Sequence, residues 1–487
     1  MNFNSGAFLI FLPVSVGVYW LLPFRFRKYW LLAASYFFYM YWNPLLILLL
    51  LTSTVIDYCC GRGMEARRET GKNRKVLLLV SICMNLGLLF FFKYWDFFGE
   101  TVNALAARIG IGYRVPALHL ILPVGISFYT FQTMSYSIDV YRGDAPAEHD
   151  FVSFALYVSF FPQLVAGPIE NPRDLLPQLK AEHHINRDDL RAGFRLLLCG
   201  FFRKCVVADL CGIYVNAVYA DAANADSLAV AAAGALFCIQ MYCDFAGYSE
   251  IAAGAARLMG VRLMRNFNRP YLSQSYGEFF RRWHISLNRW FTQYLYIPLG
   301  GGRKGLARKL LNTVIVFALC GLWHGARWTY VLWGLYAAFF VCLESLLKKP
   351  AQRLVQKSSL DLANPLVVLF RRFYMFMIFI PAALIFRSES TAQLGVLLRR
   401  LFTAAPDLNA AFRTLGLNGA SFLALAVTLV AMNALHIWGD YDLPEAGTEL
   451  GASRRLVSSV YSVLVIALSW LALLATQDAA GFAYFQF

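Results

Sequence analysis

The chain has 487 residues, of which 59% are hydrophobic and 15% charged, with a mean hydropathy of +0.52. Ordinary soluble domains carry about 25% charged residues, so a water-soluble globule is excluded. The net charge of +15 would suit nucleic acid in a soluble protein. Here the Lys and Arg residues fall between apolar stretches, as they do in the cytoplasmic loops of membrane proteins. Nucleic acid is therefore set aside, and membrane lipid headgroups are the expected contact of the basic runs.

Apolar runs lie near 7–23, 29–42, 44–58, 76–94, 119–138, 152–168, 193–211, 226–247, 310–322, 326–346, 366–386, 420–438 and 457–476. A membrane helix needs about 20 apolar residues, so these runs predict an all-α, polytopic membrane protein with roughly 11–13 membrane helices plus re-entrant or interfacial pieces. Runs that are apolar throughout, rather than alternating, exclude a β-barrel. Met1 to Leu22 has no basic leader and no small-residue cleavage pattern, so a retained span is expected.

Charge orients the chain. Arg25, Arg27 and Lys28 follow the first run, and Arg62, Arg67, Arg68, Lys72, Arg74 and Lys75 precede the fourth. Both loops are expected in the cytoplasm, joined by a hairpin that turns at Trp42-Asn43-Pro44, which places the N-terminus outside. The block 262–309, with Arg262, Arg265, Arg269, Arg281, Arg282, Arg289, Arg303, Lys304, Arg308 and Lys309, is expected on the same side. Between 150 and 225 the charges are mixed and orient nothing. No fixed-period repeat or low-complexity linker interrupts the chain, so a single membrane domain over 1–487 is the simplest organisation. None of the ten cysteines forms a C-x-x-C pair, and they read as small apolar residues.

Polar side chains at bilayer depth are expensive and so mark candidate sites. His149, His183 and His184 fall in polar loops and are expected to be solvated; His119 and His436 lie at or in apolar runs without polar company and read as packing residues. His324 stands apart, in Gly321-Leu322-Trp323-His324-Gly325-Ala326-Arg327-Trp328 between two apolar runs. The glycines permit close approach of backbone or ligand, and an imidazole there can take a hydroxyl proton. Catalysis and structure are both open for it, and Trp323, Trp328 and Trp333 also fit interfacial aromatics.

Ser275 followed by Glu278 has capping-box spacing and predicts a helix start. Phe279, Trp283, Leu287, Trp290 and Tyr294 then recur on one face, with Arg281, His284 and Asn288 on another. The plainer reading is an amphipathic helix lying on the cytoplasmic interface; the functional one is an imidazole kept neutral by Arg281. Tyr296 to Gly305 combines glycines with cations and lacks the P-loop spacing, so it reads as a basic turn or a phosphate contact. Gln240, Asp244 and Tyr248 form a polar stripe at i, i+4 and i+8 that is expected to face the protein interior, either to position His324 or line a solvent path, or as helix-packing glue. No serine-hydrolase elbow, zincin or dinucleotide motif is present.

Seven ordered blocks resemble the membrane-bound O-acyltransferase family, closest to its bacterial branch that acetylates alginate and other exported polysaccharides. They are Phe3-Asn4-Ser5 leading into Phe8 to Pro13; Leu122 to Gln132; Phe161 to Ile169; Tyr242 to Ser249; Asn266 to Tyr271; Arg281-Arg282-Trp283-His284-Ile285-Ser286-Leu287; and Trp323-His324-Gly325. The resemblance covers a core of about 1–350; the helices of 351–487 carry no matching motif and are assigned to packing.

The resemblance implies that His324 is the essential active-site histidine and His284 the second functional one. Asp244, Tyr248, Gln240, Arg281, Asn288 and Trp323 are expected to support them or to bind substrate. A cytoplasmic thioester, acetyl-CoA, is the expected donor, and because a thioester needs no metal, neither metal nor bound cofactor is expected. The resemblance implies a periplasmic acetyltransferase partner that delivers acetyl to the polysaccharide, and the bacterial inner membrane is the expected location. D-alanyl transfer to teichoic acid, a polysaccharide transporter or flippase, and a structural scaffold stand as the alternatives.

Overall fold

The computed structural model describes residues 1–358 and 361–438, without the side chains of 433–438. The described residues form helices and turns, with no strand among them. In chain order the helices are α1 (Gly6–Leu21), α2 (Phe24–Met40), α3 (Ile47–Ala66), α4 (Arg74–Leu89), α5 (Trp95–Arg108), α6 (Ile126–Arg142), α7 (Phe151–Ser159), α8 (Pro172–Lys180), α9 (Arg187–Phe201) and α10 (Asp209–Ala220). They continue as α11 (Ser227–Arg257), α12 (Tyr276–Arg282), α13 (Ile285–Phe291), α14 (Gly305–His324), α15 (Trp328–Ser358), α16 (Pro365–Arg387), α17 (Thr391–Thr403), α18 (Leu408–Leu415) and α19 (Gly419–Trp438). The run near 457–476 lies outside the described residues.

Among the described residues, six helical segments are long and apolar enough to cross a membrane: Pro44–Ala66, Arg74–Arg108, Ser227–Arg257, Gly305–His324, Trp328–Ser358 and Pro365–Arg387. α18 and α19 add one more if that pair, bent by 80°, is a single span. Other apolar runs became shorter pieces. The run near 119–138 starts its helix only at Ile126, and the run near 152–168 yields the nine-residue α7 followed by turns. Protein surrounds most of both stretches: α6 and the segment from Phe154 to Ile169 are almost wholly buried, while residues 119–122 ahead of α6 are exposed.

The contacts divide the chain into two compact units, Met1–Leu197 with Ser249–Met264, and Leu198–Tyr248 with the described part of Arg265–Phe487. In the first unit, α3, α4 and α6 meet around a fully buried carboxylate, Asp57. Ser81 donates to it at 2.5 Å, the Asn85 amide at 2.8 Å, Ser137 at 3.2 Å and Ser53 at 3.4 Å. Thr133 closes the network onto the Asn85 carbonyl at 3.1 Å. A polar group buried without partners is expensive, whereas one whose partners are all supplied ties its neighbours into a single geometry.

In the second unit, α14 and α15 form an antiparallel pair in backbone contact. A Cβ added at Gly321 would stand 2.2 Å from the Tyr330 carbonyl oxygen, and one at Gly334 would stand 2.2 Å from that of Phe317. No side chain fits at either place, so the two glycines set the separation of the helices. The connection of the pair is three residues long, which puts His324, the last residue of α14, at its closed end.

Two outcomes follow for stability. Asp57→Leu strands the donors of Ser81, Ser137 and Asn85, Ser53 keeping its 2.8 Å bond to Asn85 Oδ1. It is expected to lower stability by on the order of 3 kcal/mol, read as a fall in the thermal midpoint of the detergent-solubilised protein, with Asp57→Asn in between. Gly334→Ala is expected to lower the midpoint well beyond Gly395→Ala, whose added Cβ meets nothing within 4 Å. Equal midpoints for the two alanine variants would remove the glycine contact as a constraint.

Candidate active site

α14 ends at His324 because the chain turns extended at Gly325 (φ −167°, ψ 155°). His324 is 9% exposed, and its imidazole sits in an aromatic cage. Ring centroids lie 5.0 Å away for Trp323, 5.3 Å for Trp333 and 5.4 Å for Phe386, the last contributed by α16. Of the tryptophans read as possible interfacial residues, Trp323 and Trp333 thus pack on the imidazole, while Trp328 is half exposed.

His284 departs from the expected picture. The helix does start at Ser275, whose hydroxyl accepts from the Glu278 amide at 3.1 Å. It stops at Arg282, however, and the single amphipathic helix expected through Tyr294 is broken. Trp283 is extended and His284 left-handed (φ 44°, ψ 55°), and α13 begins only at Ile285. A non-glycine residue in that conformation needs its surroundings to hold it there. The Asn288 side-chain amide reaches back to the carbonyls of Phe280 (2.7 Å), Trp283 (2.7 Å) and His284 (3.3 Å). The main chain of Asn266 and Asn268 takes up the Ile285 amide and the Arg282 carbonyl. Asn266 Oδ1 also lies 3.2 Å from His284 Nδ1 and accepts from Ser286 Oγ at 2.9 Å.

The break turns His284 inward to 1% exposure, which rules out a histidine lying on the lipid surface. Its ring rests 4.6 Å from Phe245 and 5.9 Å from Trp323. Trp323 therefore contacts both imidazoles. Burial first, and His324 second, hold the His284 pKa well below the ordinary imidazole range. Arg281, expected to be the cause, is exposed instead.

The stripe on α11 faces inward as expected: Gln240, Asp244 and Tyr248 are all buried. Asp244 takes its charge partner from a residue not picked out in the sequence. Lys204, 1% exposed, holds Asp244 at 2.9 Å and Asp209 at 2.7 Å. It sits in the π-helical segment Phe202–Ala208, a backbone irregularity common at functional sites. A lysine inside the apolar run near 193–211 was the signal available.

The remaining candidates separate. The turn Tyr296 to Gly305 is tied down by Asn312 and Arg308, which bond the Gly301 and Leu299 carbonyls. His149 is not simply solvated but lies 2.7 Å from Glu65, and His183 lies 2.7 Å from the Gln178 carbonyl; His184 is exposed. His119 is exposed rather than packed, in a loop beside Asp96. The side chain of His436 lies outside the described residues. Seven of the ten cysteines are buried.

Two cavities meet at α12. A small one, about 60 Å³, has His324 in its wall; a large one, about 1840 Å³, is lined by Arg281, Arg289, Lys309, Lys348, Arg371 and one carboxylate, Glu344. Tyr276 and Phe280 line both. The stretch after 350, assigned to packing, supplies Phe379, Ala382, Ala383 and Phe386 to the wall around His324. The site is a buried imidazole in the wall of a small aromatic cavity, which shares Tyr276 and Phe280 with a larger cationic one.

Residues 37–385 match the membrane-bound O-acyltransferase family. The chain is 37% identical over 393 residues to a probable alginate O-acetylase, AlgI, of Azotobacter vinelandii, covering 80% of this chain and 76% of that protein. It is 34% identical over 365 residues to a peptidoglycan O-acetyltransferase of Helicobacter pylori, covering 68% of each. Similarity to a teichoic acid D-alanyltransferase of Bacillus subtilis is 26% over 250 residues, covering 48% of this chain and 62% of that protein. With a buried histidine in a helical membrane scaffold and a match over most of its length, the chain belongs to the membrane-bound O-acyltransferase family.

Proposed function

We propose that this O-acyltransferase takes acetyl from a cytoplasmic thioester, acetyl-CoA, and passes it to a hydroxyl on the outer side of the bacterial inner membrane, with an exported polysaccharide of the alginate type as final acceptor. The observation that carries this reading is the pair of neighbouring cavities, one small with His324 in its wall, the other large and lined by five cations. Arg and Lys match the phosphates of a CoA thioester. The similarity to alginate O-acetylases supports acetyl and polysaccharide. D-alanyl transfer ranks second, because those relatives match less than half of the chain.

His324 takes the acceptor proton as the alcohol oxygen attacks the thioester carbonyl carbon. The tetrahedral intermediate collapses with loss of the thiolate, which recovers the proton from the imidazolium, so that ester and free thiol leave. His284, buried and neutral, orients and polarises the thioester carbonyl. Lys204 and Asp244 neutralise one another within the protein, and Asn288 and Asn266 hold the backbone that aims His284. The basic blocks lie on the cytoplasmic side and the N-terminus outside. A periplasmic acetyltransferase carries acetyl on to the polymer, and the whole chain works as one membrane domain.

His324→Ala, inserted normally in the membrane, is expected to lower acetate on the exported polymer by about 10²–10⁴-fold; undiminished acetylation removes the general-base role. His284→Ala is expected to slow acetyl-donor turnover by about 10²-fold, the scale of losing one polarising group. Turnover that stays intact takes His284 out of the chemistry.

A further inference from the structure

Glu344 is the one carboxylate among the residues lining the large cavity, facing Arg281, Arg289, Lys309, Lys348 and Arg371. None of these cations is its hydrogen-bond partner in the described contacts. It reaches from α15 to the start of α12 and accepts from the backbone amides of Tyr276 and of Gly277, the latter at 2.9 Å. The first turn of a helix has amides with no partner of their own, and here a carboxylate from another helix supplies two of them. One turn earlier on α15, Phe340 stacks on the Tyr276 ring at 5.4 Å. Backbone and ring of Tyr276 are thus gripped by neighbouring positions of a single helix.

α12 carries the partition between the two cavities. Tyr276 and Phe280 line both. Their rings lie 5.4 Å apart, Phe280 packs 4.7 Å from Phe317 on α14, and Phe279 packs 4.2 Å from Phe379 on α16. Beyond the partition, the space at His324 is about 60 Å³, against about 1840 Å³ on the other side. A short acyl group fits there more readily than a long one while the partition stays where it is. Packed aromatic walls do not yield freely to added volume.

We propose that Glu344 is a positioning residue that clamps the start of α12, fixes the Tyr276–Phe280 partition between the two cavities, and so limits the acyl groups reaching His324 to acetyl size. The proposal rests on the reading of His324 as the base and the large cavity as the chamber of a CoA thioester. Glu344 touches neither substrate nor reacting atom; it acts through α12.

The test uses the full chain in membrane vesicles and compares kcat/KM for acetyl-, propionyl- and butyryl-CoA. The unaltered protein is expected to favour acetyl over propionyl by about 10–200-fold, the range for one methylene in an apolar pocket. Glu344→Ala is expected to cut that ratio at least tenfold, and Glu344→Gln, which keeps the shape and one acceptor oxygen but turns an NH2 toward the other amide, to restore it only in part. Phe280→Leu, which opens the partition directly, is expected to lower the ratio with Glu344 intact. Should Glu344→Ala fail to accumulate, Glu344→Asp, one methylene short of the two amides, carries the test with the same expected change. An acetyl preference that survives in the Glu344 variants of an active protein overturns the proposal alone. If the unaltered protein turns over no CoA thioester, the donor reading falls, and the proposal with it.

Discussion

The contact on which the site depends is the backbone-to-backbone packing of α14 and α15 at Gly321 and Gly334. With no Cβ at either place, each helix comes within reach of a carbonyl oxygen of the other. That separation, with the three-residue connection, puts His324 at the closed end of the pair rather than along an open helix face. Tyr330 completes the enclosure: its ring lies where a side chain on Gly325 would stand. The histidine is the end of a closely packed hairpin and is itself buried.

A second constraint works in the opposite way, by breaking regular structure. A continuous helix from Tyr276 to Tyr294 would place Phe279, Trp283 and Leu287 on one face and leave His284 on the other, with the basic side chains. The left-handed turn at His284 changes the direction of the chain and sends the imidazole inward. The carbonyl and amide groups freed by the break are satisfied by the Asn288 side chain and by the Asn266–Asn268 main chain. Asn288 therefore serves the site through the backbone, a role that neither its position on a helical wheel nor its polarity announced.

Much of this was legible in the residues. The all-α membrane architecture followed from continuous apolar runs and the inward polar stripe from the cost of Asp244 in such a run, whereas the settings of His324 and His284 left structure and chemistry open and only the resemblance singled the two out. Local patterns could not report what comes from distant parts of the chain. Lys204 meets Asp244 across 40 positions, and Phe386 meets His324 across 62, so no short motif contains either pair. The break at His284 was hidden for another reason: the apolar spacing through Trp290 satisfies a helix, and besides Asn288 the groups that stabilise the break sit in an earlier segment, at Asn266 and Asn268. Length was misleading where protein rather than lipid surrounds an apolar stretch, as at α6 and α7.

These pieces describe a buried imidazole in a small aromatic chamber, beside a larger cationic one, in a family of acyltransferases. The central claim is that thioester and imidazole meet there. The most direct measurement is an experimental structure of the chain with a non-hydrolysable acetyl-CoA analogue. The account predicts phosphates among the five cations and the acetyl carbonyl past Tyr276 and Phe280, within reach of His324. An analogue bound away from both cavities, leaving His324 sealed among its aromatic neighbours, would contradict it.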